Sequence, residues 1–84
     1  MKRVRLTRHA KEQCVERGAA VSEVVEAVRK GRRVPAKLGR EICRYNFPFG
    51  RSWQGTTYAI KQVAPVIVEK ADEIVVITVY TFYF

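Results

Sequence analysis

The stretch that decides the fold is IVVITVYTFYF, residues 74–84, the longest apolar run in the chain. It is too short to cross a bilayer as a helix, and β-branched and aromatic residues dominate it. The run therefore predicts a buried β-strand over about 73–84, and we expect this strand to be the longest and most buried of its sheet.

Two segments upstream of this run also have strand patterns. Residues 42–49, ICRYNFPF, alternate apolar side chains with Arg, Asn and Pro, which predicts a strand over about 41–49. Residues 56–69 predict a further strand that is interrupted or bulged at Pro65. We expect most aromatic side chains of these strands to pack in the core or as cross-strand pairs, namely Tyr45, Phe47, Phe49, Tyr80, Phe82 and Phe84.

Two helices are predicted before the strands. Thr7 is an expected N-cap for a helix over about 8–17, and Gly18 is its left-handed stop. Ser22 is the expected cap of a second helix over about 22–30, whose valines recur at the helical spacing i, i+3, i+4 and i+7.

The sequence predicts a single α+β domain over residues 1–84. Its two N-terminal helices would pack on one face of an antiparallel sheet of three or four strands. KRVRL at 2–6 would be a short strand or an extended lead-in, RRVPAKLGRE at 32–41 a basic loop, and GRSWQG at 50–55 a turn. A chain this short buries only ~60–65% of its extended surface, so forming an oligomer would add stability.

Positive charge is concentrated in two segments of the chain. The formal net charge is +8, and residues 1–11 carry five basic residues and no acid. Residues 29–51 carry eight basic residues against Glu41 alone, whereas residues 12–28 carry four acids against Arg17. This clustering favours an anionic partner, either nucleic acid or an acidic protein. The alternative is that solvated Lys and Arg only keep a small domain in solution.

The cysteines and the N-terminal residues give no sign of secretion or metal binding. The first residues are charged and no apolar run follows them, so we expect a cytoplasmic protein without a signal peptide or membrane anchor. Cys14 and Cys43 would be reduced and pack as small apolar residues. With His9 they could supply at most three zinc ligands, so no metal or other cofactor is expected. The sequence also has no P-loop, dinucleotide-binding glycine motif or carboxylate dyad.

The order of these motifs resembles a known family. RHAKEQCVERG at 8–18, SEVVEAVRKG at 22–31 and the terminal strand IVVITVYTFY resemble the small bacterial family called domain of unknown function 4258. The resemblance covers nearly the whole chain, and its most specific parts are the His-Ala pair, the Arg-Gly pair and ITVY. More distantly, the order of helices and sheet is similar to the RelE-like and BrnT-like ribonuclease toxins of toxin–antitoxin modules. The family implies a fold, and the toxins imply cleavage of RNA.

A metal-independent ribonuclease site would need an acid, a base and cations around the phosphate. Histidine ordinarily titrates near neutrality, so His9 is the candidate acid or base. Arg17 lies two turns further along the same helical stripe and could hold a phosphate with two hydrogen bonds. Tyr80 could stack on a base or donate a proton, and Arg44 and Lys61 could hold the phosphate from the sheet. RelE-like toxins share this work among arginine, lysine and tyrosine.

Structural roles are the alternatives for these residues. His9 could bond a neighbouring strand or Gln13, and Arg17 could pair with a nearby glutamate. Trp53 would be either a lid over the core or a contact surface. The residues expected to extend an RNA-binding surface are Arg8, Arg32, Arg33, Arg40 and Trp53.

Three functions therefore stay open at the level of sequence. The first is an endoribonuclease that acts on RNA or on the ribosome through His9, Arg17 and Tyr80. The second is a non-catalytic module that binds RNA or an acidic, antitoxin-like protein. The third is a homodimeric domain, joined through its aromatic terminal strand, with no role in nucleic-acid binding.

Overall fold

A computed structural model describes residues 2–84 as two helices and one five-stranded mixed sheet. The strands lie in the order β1-β5-β4-β3-β2, with β1 parallel to β5 and every other pair antiparallel. The elements in chain order are β1 (Arg3–Leu6), α1 (Arg8–Arg17), α2 (Val21–Lys30), β2 (Arg32–Pro35), a 3₁₀ turn (Lys37–Gly39), β3 (Glu41–Trp53), β4 (Thr56–Glu69) and β5 (Glu73–Tyr83).

The predicted α+β class is confirmed, but the expected antiparallel sheet of three or four strands is wrong. Two strands of four residues each account for the difference. β1 pairs in parallel with the start of β5, and β2 forms inside the segment expected to be a loop. β2 is an edge strand of the sheet that residues 2–84 form, and an edge position tolerates Pro35 because one side of the backbone there needs no ladder bond.

Local capping chemistry sets the helix ends. The Thr7 side chain accepts a hydrogen bond from the Ala10 N–H at 3.1 Å, and Gly18 ends α1 at φ 75°. Ser22 is not the cap of α2, which begins one residue earlier. The Glu23 carboxylate instead accepts a hydrogen bond from the Ala20 N–H at 2.9 Å.

The core lies between the two helices and one side of the sheet. α1 packs on β5, and α2 packs on β3 and β4. Cys14 and Cys43 are both free and buried in this core, and burial raises the pKa of each thiol. They pack there as small apolar groups. The other core residues include Ala10, Val24, Ala27, Val28, Val63, Ile67, Val76 and Val79.

An extra residue in β5 determines which side chains face the helices. Val66 pairs with Thr78 but Ile67 pairs with Val76, which leaves Ile77 as the additional residue of a β-bulge. Val76 and Val79 therefore both point into the core. The side of the sheet away from the helices is named the open face, and it carries Arg32, Arg44, Asn46, Gln62, Thr78, Tyr80, Phe82 and Phe84.

The bulge overturns part of the expectation for the aromatic residues. Tyr45 and Phe47 pack against the core, but Tyr80, Phe82 and Phe84 are 39%, 43% and 56% exposed on the open face. β5 is also not the longest strand, since it has 11 residues against 14 in β4.

Lys61 joins the central strand to the turn between the helices. It is 4% exposed, and its Nζ donates to the Gly18 carbonyl at 2.8 Å and to the Glu23 carboxylate at 2.7 Å. The preceding carbonyl, that of Arg17, accepts hydrogen bonds from the Thr81 and Tyr83 hydroxyls at 3.0 and 2.8 Å. The end of α1 is thus fixed to both β4 and β5.

Replacing Lys61 by methionine should lower the free energy of unfolding by about 2–3 kcal/mol, because the Glu23 carboxylate loses its cation and the Gly18 carbonyl loses its donor. Urea unfolding followed by circular dichroism measures this. Lys30→Met is the matched control, because it breaks an exposed pair with Glu26 and should cost less than ~0.5 kcal/mol. Equal losses in the two variants would contradict a structural role for Lys61.

A second group of charges fixes β1 and β2 to the end of β4. Glu69 accepts hydrogen bonds from Lys2, at 2.7 Å, and from Arg33. These bonds lower the pKa of Glu69 from its ordinary 4.5 to about 2. A carboxyl whose pKa is lower in the folded state adds stability above its unfolded pKa and loses that contribution as the pH falls.

We therefore expect the stability of the protein to decrease as the pH falls from about 4.5 towards 2. The urea midpoint, measured at several pH values for wild type and Glu69→Gln, tests this. The variant should be less stable at pH 7 and should lose less stability on acidification. Glu12→Gln, which removes only an exposed 3.9 Å pair with Arg8, should follow the wild-type curve.

Candidate functional site on the open face

The start of α1 is docked on the bulge of β5. The Thr7 N–H donates to the Val76 carbonyl at 3.0 Å, and the Thr7 hydroxyl donates to the Ile77 carbonyl at 3.3 Å. β1 ends where Leu6 pairs with Val76, so α1 continues along β5 beyond the end of β1. This position brings the polar stripe His9, Gln13 and Arg17 of α1 to the rim of the open face.

His9 and Arg17 are the two residues of that stripe that reach the open face. His9 is exposed, and its Nε2 lies 3.3 Å from the Thr78 hydroxyl. Arg17 Nε donates to the Gln13 side chain at 2.5 Å, and its guanidinium lies 5.1 Å from the centre of the Tyr80 ring. Gln13, and not a glutamate, is therefore the hydrogen-bond partner of Arg17 in the described structure.

Aromatic rings continue this array across the open face. The Tyr80 and Phe82 rings are near parallel, with an interplanar angle of 27° and centres 6.5 Å apart. The Arg44 guanidinium lies 5.5 Å from the centre of the Phe82 ring. Each of the two rings is thus accompanied by an arginine, a cation–π arrangement that also leaves ring surface exposed.

Two amide side chains lie beside these rings. Arg44 donates to the Gln62 side chain at 3.0 Å, and Gln62 donates to Asn46 at 2.9 Å. Sequence reasoning overlooked Gln62 and assigned Phe82 to packing. The signal that could have found them is their position opposite each other on neighbouring strands, which depends on the register.

The open face keeps a positive charge because several glutamates pair with cations on the other side of the sheet. Glu23, Glu41 and Glu69 pair with Lys61 or Arg33 on the helix side of the sheet. Among residues 2–84, no carboxylate lies within 4.0 Å of a charged nitrogen of Arg17, Arg32 or Arg44. These three arginines therefore keep uncompensated positive charge.

Two residues predicted for the site lie elsewhere in the fold. Lys61 is buried on the helix side, bound to Glu23 and Gly18. Trp53 stacks on Tyr83 with ring centres 5.0 Å apart, and a Cβ placed on Gly18 would lie 2.5 Å from the Trp53 ring. Trp53 thus packs against Tyr83 and the Gly18 turn and does not join the row of side chains on the open face.

The additional basic residues are dispersed over the surface. Arg8 is exposed on α1, 3.9 Å from Glu12, and Arg33 pairs with two glutamates on the helix side. Arg40 is exposed just before β3. Of the predicted basic surface, the open face takes Arg32 and Arg44 from the strands and Arg17 from the rim.

The described part of the chain shows no metal site and no membrane helix. Among residues 2–84, no three His, Cys, Asp or Glu side chains are grouped so that they could hold an ion. Neither helix of this region has the length and apolar character that a membrane crossing requires.

Comparison with known proteins found no matching family model, curated protein or solved structure. The resemblance to domain of unknown function 4258 therefore stays an expectation from the quoted motifs. Any assignment of function to this chain must be argued from the open face itself.

Proposed function

We propose that the protein binds single-stranded RNA on the open face. The observation that carries the proposal is the row Arg17, Tyr80, Phe82 and Arg44, in which two neighbouring exposed rings lie between two uncompensated cations. Bases stack on exposed aromatic rings, and arginines neutralise the phosphates between them.

The spacing of the row suits a flexible single strand. Tyr80 and Phe82 are two positions apart on one strand, so one nucleotide could stack on each ring. An unpaired base can stack on the exposed rings of the open face. A base paired inside a duplex could not, because it is already stacked between its neighbours.

Polar side chains on the open face favour RNA over DNA. Asn46, Gln62 and Thr78 carry amide or hydroxyl groups beside the rings, and such groups can bond a ribose 2′-hydroxyl. The resemblance to small ribonuclease toxins supports the same choice of partner.

Removal of either ring should weaken RNA binding without changing its salt dependence. Tyr80→Leu and Phe82→Leu should each cost about 1–3 kcal/mol of binding free energy for an unstructured, fluorescein-labelled RNA decamer. If Arg17, Arg32 and Arg44 each contact one phosphate, the logarithm of the binding constant should fall with the logarithm of the salt concentration with a slope of about −2. Arg44→Gln should reduce the magnitude of this slope by about 0.7. Fluorescence anisotropy at several salt concentrations measures both quantities.

The matched control is Arg51→Gln, because Arg51 is exposed but lies over Phe49, away from this row. It should leave affinity and slope nearly unchanged. An RNA affinity that does not respond to any ring or arginine of the open face would refute the proposal. Sedimentation tests the dimer alternative, since a dimer lost in Phe82→Leu, with no RNA binding in wild type, would assign the rings to a second copy.

We further propose RNA cleavage as a second candidate function, because His9 lies exposed at the end of the same row. Its Nε2 is 3.3 Å from Thr78, two positions before Tyr80 on β5, and Arg17 lies over Tyr80. In this proposal His9 takes the 2′-hydroxyl proton, Arg17 balances the charge of the pentavalent phosphate, and the Tyr80 hydroxyl protonates the leaving 5′-oxygen.

If the protein cleaves RNA, His9→Ala should remove cleavage and keep RNA affinity within about threefold, because His9 would supply proton transfer and little binding. The measurement combines anisotropy with gel analysis of the decamer and of total RNA after induced expression. Lys37→Ala, an exposed substitution in the 3₁₀ turn, should retain wild-type cleavage. Intact RNA with the wild-type protein would leave only the binding function, and equal cleavage by His9→Ala would refute the proposed role of His9.

A further inference from the structure

β1 has one edge that no strand of residues 2–84 covers. It is the first strand in the sheet order and pairs with β5 alone in the described structure. The Thr7 N–H bonds β5, and alternate residues of a strand direct their backbone groups to the same side. The N–H and C=O groups of Arg3 and Arg5 therefore point to β5, and those of Val4 and Leu6 point to the uncovered edge.

A groove of about 350 Å³ lies along this strand. Val4, Leu6 and Val21 give it an apolar floor, and Val21 is 51% exposed. An uncovered strand edge beside an apolar groove is the geometry at which extended peptides add to a sheet, through backbone bonds on the edge and side chains in the groove.

The charges around the groove specify the sign of its occupant. Arg3, Arg5 and Lys11 line it. Arg3 and Arg5 share the single carboxylate of Glu73, at 3.7 and 3.1 Å, and Lys11 has no carboxylate within 4.0 Å among the described residues. A net positive charge therefore remains for an acidic ligand.

We propose that an extended, acidic segment of a protein partner binds along β1 as a sixth strand. Its backbone bonds the outward groups of Val4 and Leu6. Its side chains alternate, so that acidic groups face Arg3 and Arg5 on one side of the sheet and apolar groups contact Val4, Leu6 and Val21 on the other, beside Lys11. The proposal does not depend on RNA binding, because it uses a different edge of the molecule.

The test compares two capped, fluorescein-labelled peptides, one of alternating Glu and Val and one of alternating Lys and Val. The wild-type chain should bind the Glu peptide at least about tenfold more tightly. Lys11→Glu should weaken that binding about tenfold, whereas Lys37→Glu, an equal change of charge away from the groove, should alter it less than about twofold. Amide hydrogen exchange at Val4 and Leu6 should slow when the Glu peptide is bound.

Three results would overturn the proposal. The first is equal affinity for the two peptides, and the second is unchanged exchange at Val4 and Leu6 at saturating Glu peptide. The third is protection of both amides in a peptide-free dimer, which would give the edge to a second copy. Arg44→Gln should retain peptide binding while its RNA binding weakens, which separates the two proposals.

Discussion

The arrangement of this molecule depends on one extra residue in β5. Side chains alternate along a strand, so a single inserted residue exchanges the two sides for everything after it. Ile77 is that residue, and it allows Val76 and Val79 to enter the same core while Tyr80 and Phe82 point away from it. The open face owes its aromatic character to this bulge, which is held by the Thr7 side chain at the start of α1.

The electrostatics of the open face depend on the opposite side of the sheet. Lys61 draws Glu23 to the turn between the helices, and Arg33 and Lys2 bind Glu69 at the end of β4. With these acids bound elsewhere, Arg17, Arg32 and Arg44 have no close counter-charge in the described structure. The same ion pairs that hold the helices and the edge strands therefore leave a basic surface beside the exposed rings, which is the physical basis of the proposed RNA site.

Most features that depend on neighbouring residues were accessible from the sequence, although the Ser22 cap was not among them, and features that depend on distant contacts were not accessible. Thr7 and Gly18 act through local backbone geometry, so their capping roles could be predicted. The stripe from His9 to Arg17 follows from helical spacing alone. Four residues carry little pattern, so the sequence of β1 fits either a short strand or an extended lead-in, and the sequence of β2 predicts a loop. No local signal shows the bulge at Ile77 that places Phe82 on the open face, or the burial of Lys61 against Glu23 and Gly18.

The parallel pairing of β1 with β5 has a consequence for how the chain folds. Arg5 and Glu73, which bond each other across this pair, are 68 positions apart in the sequence. During synthesis β1 is made before β5, so it stays unpaired until the start of β5 has been made. Contacts between such distant residues require a long loop to close, and this closure costs conformational entropy before the contacts can form. We therefore expect the domain to fold more slowly than a helical domain of equal length. Until β5 has been made, the unpaired β1 strand is a site where the nascent chain could associate with a wrong partner or be bound by a chaperone.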